Sequence, residues 1–155
     1  MIAIRPAQLT DLDALTTLNR QIGSQHAAEA PQVFNPPSAD DRRYLQKQLA
    51  DPERHLLVAE QDSDVVGYIC ATINSNDTVP FLSFEAICRI STVVVATQHQ
   101  QQGVGSALMT AMEDWARANG AVQIRLEVMA FNSEAQHFYQ HLHYQTQSII
   151  MAKLL

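Results

Sequence analysis

Between Arg89 and Arg117 the sequence carries no lysine or arginine, and basic residues are scarce throughout: ten, against sixteen acidic, for a formal charge of −6. A chain this short of positive charge is a poor match for a phosphate backbone, so nucleic acid is not its expected partner. No apolar run approaches the roughly 20 residues that cross a bilayer, so no membrane-spanning helix is expected. Cysteine is scarce too. Cys70 and Cys88 lie in apolar, strand-like segments without C-x-x-C spacing, the pattern of buried reduced thiols rather than of a zinc site or a disulfide. The opening MIAIRPAQLTDLDAL lacks the charged, apolar and small-residue regions of a secretion signal, which points to a cytoplasmic protein. No repeat appears, and the one proline-rich stretch, APQVFNPPS, is too short for a linker. One domain over residues 1–155 is the expectation.

What is present alternates strands and helices. MIAIR reads as a first strand. Thr10 with Asp13 has the spacing of a capping box, opening a helix to about Ile22 with Leu12, Leu15, Leu18 and Ile22 on one face. Ser38 with Asp41 repeats that signal for a second helix ending near Ala50. HLLVAE and VVGYICATI, separated by QDSD, predict a hairpin, and a long strand is expected from about Phe84 to Val95. Val104, Leu108, Ala111, Met112 and Trp115 mark a helix that Gly120 would stop. AVQIRLEVMA predicts another strand, NSEAQHFYQHL a helix capped by Asn132 or Ser133, and YQTQSIIMAKLL a terminal strand, whose exposed edge suits a homodimer. This order implies a mixed α/β sheet with helices on both faces.

The stretch QHQQQGVG, between the valine-rich strand and the helix that follows, is the part that carries chemistry. A strand, a polar turn with paired glycines and a helix present several free N–H groups to an anion, helped by the helix dipole. A Walker loop is ruled out, because Ser106 follows Gly105 with no lysine before it. A dinucleotide fingerprint wants glycine where Leu108 stands. A simple tight turn remains open, as does a nucleotide-binding module.

Gln100, Gly103 and Gly105 spell Q-x-x-G-x-G, which resembles motif A of the GNAT superfamily of acetyl-CoA-dependent N-acetyltransferases. LEVMAFNSEAQHFYQHLHY is similar to the family's second characteristic region. The resemblance implies a largely antiparallel sheet whose strands splay at the cofactor site, with acetyl-CoA as cofactor and an amine-bearing small molecule or peptide as acceptor. Val93, Val94 and Val95 would line the pantetheine arm, with Val93 and Val95 as its contacts. Gln100, Gln101, Gln102, Gly103, Val104, Gly105 and Ser106 would cradle the pyrophosphate, and Asn132 would stand beside the pantetheine. Family members often carry arginine at or beside Gln100. Here the pyrophosphate would meet N–H dipoles, glutamine amides and His99 instead.

By the same resemblance Tyr139 is the general acid and Glu127 the base, with Glu85 as rival. A regular strand would put Glu85 on one face with Arg89, Ser91, Val93 and Val95. The resemblance leaves open a peptide or protein N-terminal acetyltransferase and a non-catalytic acyl-CoA sensor. His26 is a candidate for the acceptor pocket or a solvated loop histidine. His137 and His141 have the spacing of metal ligands but lack an accompanying glutamate, so no metal is expected. His143 stands where the family usually has glycine, which predicts a different end to the last helix.

Overall fold

The hairpin of β2 (Arg54–Gln61) and β3 (Asp64–Asn74) is closed by Asp62 and Ser63, at φ of 51° and 70°. Positive φ at both central residues matches the twist of the two strands, and aspartate tolerates it better than most residues. The structure, a computed structural model, describes all residues 1–155. Around the hairpin the sheet runs β1-β2-β3-β4-β5, with β1 (Ala3–Pro6), β4 (Ile87–Val95) and β5 (Gln123–Arg125). The pairs from β1 to β4 are antiparallel and β5 lies parallel to β4, so the sheet is mixed and largely antiparallel, as expected.

α1 (Leu12–Glu29) and α2 (Asp40–Ala50) cover one face of the sheet, where Leu12, Leu15, Leu18 and Leu45 pack against Val58, Tyr68 and Val94. On the other face α3 (Val104–Ala118) drives Val104, Leu108, Met109 and Met112 onto Ile69, Ala71, Cys88 and Ile90. α4 (Ser133–His141) adds Phe138 and Tyr139 to the edge of that cluster. Both cysteines are buried and free, as expected.

Several boundaries move. The first capping box belongs to Gln8 and Asp11, around a short turn at Leu9–Asp11, rather than to Thr10 and Asp13. Asp11 is the better anchor because it is buried and takes Arg5 through two bonds of 2.8 and 2.9 Å. α1 continues seven residues beyond Ile22, through QHAAE, whose residues carry the helix past Gly23. At the second helix the expected pair does act: the Ser38 N–H donates to Asp41 at 3.1 Å and the Asp40 N–H to the Ser38 hydroxyl at 3.2 Å. α3 ends as expected, with Gly120 at φ 83°. α4 ends as a glycine-built helix would, with His143 at φ 67° and the Tyr144 N–H donating to the Tyr139 carbonyl at 2.9 Å.

The largest correction concerns β4. It begins at Ile87, not Phe84, so Glu85 lies in the preceding loop. Its register against β3 passes from Ala71↔Ile90 to Cys70↔Thr92, leaving Ser91 as a bulge. A bulge reverses the alternation of faces beyond it. Cys88, Ile90, Val93 and Val95 therefore point toward α3, whereas Val94 packs against α1. The shared face expected for Glu85, Arg89, Ser91, Val93 and Val95 does not exist.

β5 is also shorter than expected. It pairs with β4 only at Ile87↔Gln123, Cys88↔Ile124 and Arg89↔Arg125. Beyond that point the two chains part, because β4 is bent by its bulge at Ser91 while Leu126 to Met129 continue without a partner. The terminal strand expected in YQTQSIIMAKLL is absent: no regular element follows His141.

Candidate active site

The N–H groups of Gln101, Gln102, Gly103, Val104, Gly105 and Ser106 donate to no acceptor within the protein; the first bond closing α3 runs from Ala107 to the Gly103 carbonyl at 3.0 Å. This follows from the chain's path. After Val95 a single tight turn at Thr97–His99 leads into Gln101 at φ 60° and Gly103 at φ 88°. Left-handed residues in such a turn direct successive amides to one side, where the dipole of a fifteen-residue helix adds to them. A Cβ built at Gly103 would meet nothing within 4 Å, so the space over the turn is open. At Gly105 a Cβ would come within 3.1 Å of the Phe138 ring, which ties the turn to α4.

Two of the glutamines also bond within the turn. The Gln100 side-chain amide donates to the Val95 carbonyl at 3.2 Å and that of Gln102 to the Gln98 carbonyl at 3.0 Å. Both brace the turn on its own backbone, each through one of its two amide hydrogens. Val104 is likewise a core side chain and offers only its N–H.

Where β4 and the chain after β5 diverge, a cavity of about 280 Å³ opens. Ser91, Thr92 and Val93 form one wall and Glu127, Val128 and Met129 the other. Asn132 at the cap of α4, Tyr139 of α4 and His26 of α1 line it as well. The splay thus brings Val93, Glu127, Asn132 and Tyr139 together. Glu85 is not among the residues around the cavity, and Val94 is turned into the α1 core.

Tyr139 is partly buried at the edge of the cavity. Desolvation pushes its phenol up to about 12, so it keeps its proton across the neutral range. Its ring meets Tyr144 edge-on at 5.8 Å, and the Tyr144 hydroxyl in turn donates to Glu113 at 3.0 Å. Glu127 is exposed and forms no ion pair, a carboxylate open to the cavity. Asn132 caps α4 by accepting the Ala135 N–H at 3.1 Å, as expected.

His26 is not a solvated loop histidine. It sits in the last turn of α1, with Nδ1 2.9 Å from the Ile22 carbonyl, and the Phe34 and Phe131 rings meet it edge-on at 4.9 and 5.4 Å. A carbonyl only accepts, so Nδ1 carries the proton and Nε2 of the neutral ring is left as an acceptor.

One residue escaped sequence reasoning. Gln21 donates to the Val95 carbonyl at 2.9 Å and accepts the Thr97 N–H at 3.1 Å. Because the Ala96 N–H bonds to Val66 of β3, the Val95 carbonyl points the other way, toward the open edge. Gln21 thus stands in for a neighbouring strand there. Nothing local in the sequence marks a contact spanning 74 positions.

Residues 21–144 match the acetyltransferase (GNAT) family, a span that holds the glycine turn and the whole splay. The chain belongs to that family. As a GNAT protein it is an acyltransferase and an N-acetyltransferase, from a family that uses acetyl-CoA and acts on amines. It is 31% identical over 144 residues to an N-alpha-acetyltransferase of Sulfurisphaera tokodaii, covering 90% of this chain and 77% of that protein. Two solved structures share the fold. A mutant protein from Bacillus halodurans superposes with a TM-score of 0.91 at 23% identity, over 99% of both chains. AAC(6')-Iy, in complex with the bisubstrate analogue CoA-S-monomethyl-acetylneamine, does so with a TM-score of 0.78 at 18% identity, over 100% of this chain and 99% of that one. No helix of this GNAT protein is long and apolar enough to cross a membrane.

Proposed function

We propose that this chain, acting as one domain, moves an acetyl group from acetyl-CoA to a primary amine by direct attack within the splay. The observation that carries the reading is the continuity of two features along β4. Its end opens into a row of unbonded amides, and its bulged middle forms one wall of a cavity that Tyr139 and Glu127 face.

The residues present fit the cofactor. The amides of Gln101 to Ser106 suit a pyrophosphate, and the open edge of β4 at Val93 suits the amide groups of a pantetheine arm. Val95 is less available, since both lone pairs of its carbonyl are taken by Gln21 and Gln100. When bound, acetyl-CoA supplies an acyl thioester.

Tyr139 then donates its proton to the departing sulfur. A phenol near 12 is a weaker acid than a free thiol at about 8.5, so the transfer is uphill and is completed by reprotonation of the phenolate from solvent. Glu127 draws in the acceptor's ammonium and takes its proton, with His26 as a second acceptor across the cavity.

The likeness to an N-alpha-acetyltransferase favours a peptide α-amine as acceptor. At pH 7 such an amine, near pKa 7.8, is about one part in seven neutral, whereas a lysine-like amine near 10.4 is about one in 2,500. An exposed carboxylate is adequate help for the first and poor help for the second.

A panel of peptides, polyamines and small amines, followed by mass detection of acetylated product, tests the proposal. Acetylation of peptide α-amines is expected. Binding of acetyl-CoA without product on any amine would instead favour an acyl-CoA sensor, and displacement of CoA by free nucleotides would favour a nucleotide module.

A further inference from the structure

Tyr68 of β3 is 1% exposed, and its hydroxyl donates to the side-chain oxygen of Asn19, on α1, at 3.1 Å. A phenol buried this deeply has to place its one hydrogen on an acceptor, and desolvation raises the phenol above its usual range, so the hydrogen stays on. The bond therefore fixes the Asn19 amide with its oxygen toward the core and its NH2 group outward. Asn19 lines the cavity, and that NH2 group has no partner within the protein and is not sealed from solvent.

Other polar side chains of the lining already have tasks. Ser91 gives its hydroxyl to the Cys70 carbonyl at 3.3 Å, and His26 gives its Nδ1 proton to Ile22. Asn19, Ile22, Gly23 and His26 stand at i, i+3, i+4 and i+7 of α1, so one face of that helix forms a cavity wall. On this wall the Asn19 NH2 is the one free side-chain donor. α1 covers the sheet face opposite α3, whose start carries the unbonded amides, so this donor meets the acceptor molecule rather than the pyrophosphate. An ammonium is itself a donor and cannot pair with it. What the NH2 group needs is an oxygen close to the amine. In a peptide the first carbonyl is attached to the carbon that bears the α-amine; a polyamine has no such oxygen.

We propose that the Asn19 NH2 group donates to the first carbonyl of a peptide acceptor, and that Tyr68 is a positioning residue acting through Asn19. This assignment rests on the acetyl-transfer reading and narrows it: the site selects an α-amine beside a carbonyl over a polyamine.

Two substrates separate this role from a structural one. One is a tripeptide amide with a free α-amine; the other is the same molecule with its first amide replaced by a trans alkene, which keeps the shape and loses the oxygen. Asn19→Ala should raise KM for the tripeptide amide by about three- to tenfold with kcat nearly unchanged, as loss of one neutral hydrogen bond does, and should move KM for the alkene by less than about twofold. Tyr68→Phe should raise KM for the tripeptide amide alone, and in the Asn19→Ala background it should add nothing. Acetyl-CoA affinity, measured by calorimetry, should be unchanged in all three variants. An equal loss on both substrates overturns the proposal, because Asn19 then acts on the thioester or on the fold. A Tyr68→Phe effect that persists in full without Asn19 overturns the part given to Tyr68. A wild type that binds acetyl-CoA but acetylates no peptide fails the acetyl-transfer reading for peptides, and the proposal falls with it by an observation distinct from the other two.

Discussion

The side chain of Gln21, on α1, reaches the Val95 carbonyl of β4 at 2.9 Å while its oxygen takes the Thr97 N–H at 3.1 Å. One amide therefore holds the end of the strand and the start of the glycine turn. Gln21→Ala removes two partly exposed hydrogen bonds, worth about 0.5–1.5 kcal/mol each, and a melting curve should fall accordingly. The same change frees a lone pair on Val95, so calorimetry should find acetyl-CoA binding kept within about threefold. Lost binding would mean that Gln21 positions the cradle rather than covers the strand edge.

No lysine or arginine lies between Arg89 and Arg117, and Gln100 and Gln102 spend their amides on the turn itself. A pyrophosphate held here meets N–H dipoles rather than a lysine or arginine. Raising salt from 50 to 500 mM should therefore change the acetyl-CoA dissociation constant by less than about threefold, since screening acts on charge pairs. A steep loss of affinity with salt would reveal a cation reaching the site from elsewhere.

The glycine turn was legible because it is local: Gly103 and Gly105 stand where a left-handed residue and a close ring contact require them. The face of α3 was legible for the same reason, since Val104, Leu108 and Met112 repeat at helical spacing and all three are buried. Ser91 was not. A bulge adds one residue to a strand without changing its composition, so alternation read from Glu85 onward placed the wrong side chains together. Gln21 and His26 were hidden for a different reason, because their roles rest on contacts with β4 and with Phe131, far away in the chain. The segment after Tyr144 reads as a strand by pattern, but it finds no partner strand in the sheet, and pattern alone does not supply one.

Asp11 is held well below the usual carboxylate range by the Arg5 guanidinium. A depressed folded value means that the unfolded state binds the proton more readily. This pair's contribution is thus complete above about pH 5 and is lost as pH falls below about 4, the unfolded value. Urea midpoints measured from pH 6 to pH 3 should fall over that window. In Asp11→Asn they should be lower at neutral pH and flatter with acid.

His143 closes α4 in a backbone region that favours glycine, at φ 67°. Relief of that strain, about 1–2 kcal/mol, is offset in part by the greater freedom glycine gives the unfolded chain. His143→Gly should therefore stabilise the protein by about 0.5–1 kcal/mol, a rise of roughly 2 °C in Tm for a chain of this size. A fall in Tm would mean that the imidazole makes up the difference through its own contacts.

Tyr139 carries the strongest chemical expectation. It lines the cavity together with Val93, and desolvation raises its ionisation to about 12. Tyr139→Phe keeps the ring against Tyr144 and Phe138 but removes the proton, so turnover should drop by about 10²- to 10⁴-fold with acetyl-CoA affinity nearly unchanged. The pH profile adds an independent check. A group that ionises near 12 is still protonated at pH 10, so no fall in kcat between pH 7 and 10 can come from Tyr139; any acid limb belongs to the amine or its base. Loss of kcat near pH 9 in the wild type that disappears in Tyr139→Phe would mean that the phenol ionises far below its raised value and that the desolvation at Tyr139 is relieved in the state that turns over.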